Sequence, residues 1–213
     1  MSVALTGAPR LQPREVALGV GMAGTSGAAV LAHTFGPIPM SFTVPFVVLP
    51  TTSFLVGLLL LRRRLYGRLH RFSELLTRGA LVGFAATIAY DAVRPLLVAT
   101  LGLTFDPYRA IPLFGTLITG LPGSDPTAMA AGWAYHFWNG ISFGMMFALV
   151  RPAGGIAWGV AWAMVLQGLM MLAYPAFLQA RLDDPGFLLS GLVGHTFWGI
   201  VLGAGIREWA RRG

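Results

Sequence analysis

The sequence predicts an all-α fold: a polytopic transmembrane bundle of six helices with both termini cytoplasmic. Three observations predict it. The chain is 55% hydrophobic and only 11% charged, where a soluble domain carries about 25% charged residues. Apolar runs of roughly 20 residues, the length that crosses a bilayer, recur along it. Arginine supplies all 15 of the basic residues, and most of it gathers in alternate connections between those runs. With 213 residues, the chain suits one transmembrane domain without a separate soluble one.

The first span is expected over 16–35, ahead of the turn Gly36-Pro37-Ile38-Pro39. Arg10 and Arg14 before an apolar stretch resemble a signal peptide, but the segment is expected to be retained as a span. The second span covers 43–61. Between it and the third lies a basic cytoplasmic connection, 62–78, in which Leu61, Leu65, Leu69, Phe72 and Leu76 recur at helical spacing among arginines. That pattern predicts an amphipathic helix, or an extension of the second span, lying at the membrane interface. The third span is expected over 79–103, with a kink at Pro95. A long outer loop follows, 104–126, with proline turns at both ends and an apolar centre; a lid over an outer cavity and plain interfacial packing are equally open. The remaining spans are expected over 127–150, 154–178 and 186–206.

Arginine orients this bundle. Arg62, Arg63, Arg64, Arg68, Arg71 and Arg78 lie in one connection, Arg10 and Arg14 precede the first span, Arg151 follows the fourth, and Arg207, Arg211 and Arg212 close the chain. With six spans all fall on one side, which the positive-inside rule makes cytoplasmic. The formal charge of +7 then reads as attraction to anionic lipid at the inner face rather than to nucleic acid. The absence of cysteine excludes disulfides, thiolate metal sites and cysteine nucleophiles. The absence of lysine excludes Schiff-base chemistry and a phosphate-loop lysine. Gly19-Val-Gly-Met-Ala-Gly24 matches a dinucleotide fingerprint in letters only: it sits in an apolar span, with no strand before it.

The chemistry concentrates in two similar stretches, GWAYHFWNGISFG at 132–144 and GLVGHTFWGIVLG at 191–203. Gly132, His136, Gly140 and Gly144 recur every four residues, as do Gly191, His195, Gly199 and Gly203, so each set forms one stripe along a helix. In the six-span topology the two helices are parallel and their histidines lie at equal depth, roughly 13 Å below the outer surface at 1.5 Å per residue. One reading is close helix packing with histidine bonding across the seam. The other is ligation of a haem- or chlorin-type cofactor by His136 and His195, with Gly140 and Gly199 leaving room for a flat ring. A small metal site drawing on His33, His136, His195 and Asp91, or a proton relay, is also open. Asp91 and Arg94 share a face of the third span as an internal ion pair or a ligand site. Asn139 and Tyr174 fall in the same outer half.

His136-Phe-Trp-Asn139, the stretch from Gln167 to Pro175, and Gly194-His195-Thr-Phe-Trp198 together resemble the YagU-type inner-membrane proteins of bacteria. The resemblance covers the last three spans and implies a bacterial plasma-membrane protein. The function expected is a non-catalytic membrane protein, a subunit of a larger complex or a homo-oligomer, holding a cofactor at the histidine pair. The alternative is a small transporter with an outward-facing polar site. A membrane-embedded metal enzyme ranks third, because no serine or threonine stands beside a positioned base and no span carries paired carboxylates.

Overall fold

The computed structural model describes residues 10–178 and 181–212, without the side chains of 174–178. Among the described residues all regular structure is helical. Two helices, α1 (Pro13–Ala23) and α2 (Thr25–Phe35), replace the single first span that was expected and meet at 57°. Gly24 stands at the break, and the Thr25 hydroxyl donates to the Met22 carbonyl (2.8 Å). Glycine's weak helix propensity and a hydroxyl bonding back into the preceding turn both favour a bend there.

The second span runs Met40–Arg64, through α3 (Met40–Thr43), a widened π turn (Val44–Val48), α4 (Leu49–Leu61) and a final 3-10 turn (Arg62–Arg64). Pro50 explains the widening. Its ring cannot donate and would crowd the carbonyl four residues back, so the ladder shifts by one and Leu49 donates to the Val44 carbonyl.

The third span, α5 (Gly67–Leu101), is 35 residues long and begins well before the expected residue 79. Most of the basic connection is therefore the first turns of α5, not a separate interfacial helix nor an extension of the second span. Phe72, Leu75 and Leu76 from that stretch are buried in the bundle, while Leu61 and Leu69 stay exposed. The helix also runs unbroken through Pro95. The long connection after it contains α6 (Ala110–Thr119), which lies against α7 (Pro126–Val150). Helices α8 (Ile156–Leu178) and α9 (Pro185–Arg212) complete the chain.

Among the described residues, four helical stretches are long and apolar enough to cross a membrane, five with the bent α1–α2 pair. Helix α7 has the length but is not among them. Its middle carries Tyr135, His136 and Asn139, and it packs against α1, α2, α5 and α6 rather than lying at the rim.

Glycines hold the bundle together at two crossings. Gly79 and Gly83 of α5 meet Gly140 and Gly144 of α7; a methyl group on Gly83 would stand 2.7 Å from the Gly140 carbonyl oxygen. Gly155 and Gly159 near the start of α8 meet Gly199 and Gly203 of α9; a methyl on Gly199 would stand 2.7 Å from the Gly159 carbonyl oxygen. Backbone thus touches backbone, as small-residue stripes permit. Glu15 of α1 pairs with Arg68 at the start of α5 (3.4 Å), and Arg78 lies over the Trp209 ring near the end of α9 (5.9 Å). The arginine-rich ends therefore gather at one end of the bundle, and α6 lies at the other.

Candidate ligand cavity

Helices α2, α7, α5, α9 and α8 surround a cavity of about 350 Å³, and α6 with Pro107 covers its far end. The wall is largely apolar, built from residues such as Leu31, Phe114, Phe143, Trp162, Leu166 and Trp198. Of the residues singled out by sequence, Arg94, His136, Asn139, Gly140 and His195 line it. Asp91 lies behind His136. Gly199 is packed on α8, and His33 is not on the wall. The Tyr174 side chain lies outside the described residues.

Helix α5 supplies the polar spine. Thr87, Tyr90, Asp91 and Arg94 fall at i, i+3, i+4 and i+7, one face of one helix. Asp91 is buried and receives His136 Nε2 at 3.0 and 2.9 Å on its two oxygens. Arg94 is more distant, with Nη1 3.9 Å from Asp91. Its guanidinium instead donates from Nε to the Ser190 hydroxyl (3.2 Å) and from Nη2 to the Pro107 carbonyl, and it lies 4.4 Å over the Tyr90 ring. The expected Asp91–Arg94 pair is thus part of a larger cluster in which His136 is the carboxylate's nearest partner. Every guanidinium nitrogen of Arg94 has a neighbour, so the arginine anchors α9 and the loop before α6.

Pro95 takes part in that anchoring. It has no N–H for the Asp91 carbonyl four residues back, and the Tyr108 hydroxyl donates to that carbonyl instead (2.8 Å). Burial, reinforced by the Asp91 charge, holds the Tyr108 hydroxyl above the usual tyrosine range, so it remains a donor. An acceptor left free by the proline thereby fixes the connection that leads into α6.

His195 is placed differently. Its Nδ1 bonds the Gly191 carbonyl of its own helix (2.9 Å), and its ring meets the Tyr90 ring edge-on at 5.0 Å. Tyr90 also neighbours the His136 ring, at 6.1 Å, so one tyrosine contacts both imidazoles. Trp198 donates to the Thr87 hydroxyl (3.3 Å).

These contacts bear on the cofactors expected from the sequence. The space beside Gly140 is taken by the Thr87 side chain, and that beside Gly199 by Gly159, Val160 and Ala163. The glycines leave room for neighbouring helices, not for a porphyrin or chlorin. The haem arrangement built on these four residues does not fit. Nor do His33, His136, His195 and Asp91 assemble as a metal site: among the described residues no three His, Cys, Asp or Glu side chains converge.

Sequence reading passed over Tyr90, Thr87, Tyr108, Trp162 and Ser190. The helical spacing of Thr87, Tyr90, Asp91 and Arg94 was visible as a polar stripe on an apolar span. Tyr108 and Ser190 carried no such signal, because their partners lie far along the chain. Comparison of the chain with protein-family models, with curated proteins and with solved structures gave no match.

Proposed function

We propose that this chain is an integral protein of the bacterial plasma membrane, with six spans and both termini cytoplasmic, that holds a largely apolar small molecule in its central cavity without transforming it. The arginine-rich ends at one pole support the orientation, facing anionic lipid. They also support α7 as the sixth span, its polar middle shielded by the helices around it. Labelling from outside intact cells of a cysteine placed at Tyr66 would overturn the orientation.

The observation that carries the functional reading is the cavity: apolar walls, with a few polar groups gathered toward the α6 end, the usual composition of a small-molecule site. The direct test is organic extraction of the protein purified in a mild detergent, followed by mass spectrometry. One co-purifying apolar species, lost when Leu166→Trp fills the cavity, is expected. A Soret or chlorin band in the visible spectrum would restore the cofactor reading.

Transport of the same molecule is the second reading, favoured by the bent α1–α2 pair. The seam between α2 and α8 is thin, and a groove bordered by Leu31, Ala32, Phe35, Gly36, Leu169 and Leu172 runs along it. A disulfide between Leu31→Cys and Leu169→Cys, in a chain with no other cysteine, would stop exchange of the molecule if α2 moves. Assembly with other membrane subunits or a second copy belongs to the same proposal.

A further inference from the structure

We infer that the occupant of this cavity is an acyl chain of a bilayer lipid, admitted sideways between α2 and α8, and not a solute entering from the water outside. This rests on the cavity reading and the six-span orientation above, and it names the ligand and its source.

The cavity is sealed at both poles. At the outer pole α6 is not free to lift as a lid. Gly115 sits against the Ala128 backbone and Gly132 against the Ile111 backbone, with no space for a methyl group at either. Tyr108 and Arg94 tie down the connection leading into α6, through the Asp91 and Pro107 carbonyls. Ile111 and Phe114, which line the cavity there, are buried. At the inner pole Phe147, Leu202 and Ile206 are buried and pack against the wall residues Phe143 and Trp162.

The side is different. Ala28, Val165 and Leu169 line the cavity and are nevertheless exposed, Val165 by 57% and Leu169 by 44%. Leu31 and Leu169 also border the apolar groove that continues past Phe35 and Leu172. Cavity and groove therefore meet between α2 and α8. Helix α2 is fixed at its start, where Tyr135 donates to the Ser26 carbonyl and Thr25 bonds Thr51 (3.0 Å). Toward its end it meets α8 only thinly.

Depth decides what stands at that opening. Val165 lies nine residues past Ile156, the start of α8. At 1.5 Å per residue that is roughly 14 Å, well inside a hydrocarbon layer about 30 Å thick. Acyl chains occupy the bilayer at that level, while head groups and water lie nearer its surfaces. The groove rises from there to Leu172 and Phe35, near the outer ends of their helices, so a lipid with its head at the outer surface can lie along it. An apolar cavity of about 150 Å³ accepts one benzene ring. In that proportion 350 Å³ takes roughly a dozen carbons, which is one chain and not two. Leu166, Phe143 and Met146 give the chain a carbon wall beyond the opening.

The test uses the full chain in nanodiscs of phosphatidylcholine brominated on one acyl chain. Bromine quenches tryptophan fluorescence on contact, and the part of the signal lost in Trp162→Phe reports the cavity. Most of the Trp162 fluorescence is expected to be quenched by the brominated lipid. The quenching should vanish in oxidised Leu31→Cys/Leu169→Cys and return on reduction. It should vanish too in Ala28→Phe, which plugs the opening from its exposed side; either variant suffices if the other does not fold. Acrylamide added to the water around unbrominated nanodiscs should leave Trp162 unquenched. Lipid quenching that survives the sealed variants would put the bromine outside the bundle and overturn the proposal. Quenching only by a free ω-bromo-alkanoate, added to unbrominated nanodiscs, would overturn it in favour of a single-chain amphiphile. Quenching by acrylamide alone would overturn the lateral route and leave the cavity reading intact. No quenching of Trp162 by any probe would overturn both.

Discussion

Helices α7 and α9 carry nearly the same string, glycine and histidine at the same four-residue intervals, and they use it for different ends. In α7 the stripe divides among neighbours: Gly132 seats α6, Gly140 and Gly144 seat α5, and His136 between them reaches across to Asp91. In α9, Gly199 and Gly203 seat α8, Gly191 seats the Gln167 side chain, and His195 turns back to its own helix. The glycines behave alike in both helices because a missing side chain has one structural consequence, close approach. The histidines differ because an imidazole takes whichever partner its surroundings offer. A repeated pattern therefore reports packing faithfully and chemistry poorly.

Removing the partner that distinguishes the two histidines should produce the largest effect. Asp91→Asn leaves Arg94 buried without a counter-charge and is expected to cost about 3–5 kcal/mol of stability, read as a drop in thermal unfolding temperature. In double-mutant cycles, Asp91→Asn with His136→Gln should show about 1.5–3 kcal/mol of coupling, the range of a hydrogen bond to a charged group, while Asp91→Asn with His195→Gln should stay within about 0.5 kcal/mol. Equal coupling to both histidines would erase the comparison.

Next come the glycines, where the two helices should respond together. Gly83→Leu and Gly199→Leu both force side chains into backbone–backbone contacts. Each is expected to cost about 3 kcal/mol, the upper end for overpacking, because neither facing strip of main chain can step aside. Retention of a monodisperse, fully helical protein in either variant would show that its crossing is looser than described.

Two smaller effects sharpen the picture. Tyr108→Phe removes the donor to the Asp91 carbonyl and should cost about 1 kcal/mol. In a Pro95→Ala background the helix regains its own donor to that carbonyl, so the same change should cost measurably less; an undiminished cost there would separate Tyr108 from the proline. His195→Phe, which loses one bond within its own helix, should cost about 1 kcal/mol or less and leave the His136–Asp91 coupling unchanged. A larger loss, measured in the same unfolding assay, would mean that His195 supports more than its own turn.

The sequence by itself determined the class of the protein. Long apolar runs cannot leave their backbone groups unpaired in lipid, so they must be helices, and glycine at four-residue spacing cannot do other than admit a neighbour. Helical spacing alone also put Asp91 and Arg94 on one face. The tertiary structure decided what adjacency decides. It set which helix fills each glycine seat, so that Gly140 and Gly199, read as room for a ring, are occupied by α5 and α8. It gave Asp91 to His136 across 45 residues of chain, and Arg94 to Ser190 across 96. It bent the first span at Gly24 and joined the basic connection to α5, where Phe72 and Leu76 found a core to bury in. Spacing along a chain reports which residues share a face; only the packed bundle shows what each face meets, because hydrogen bonds and contacts depend on distance in space.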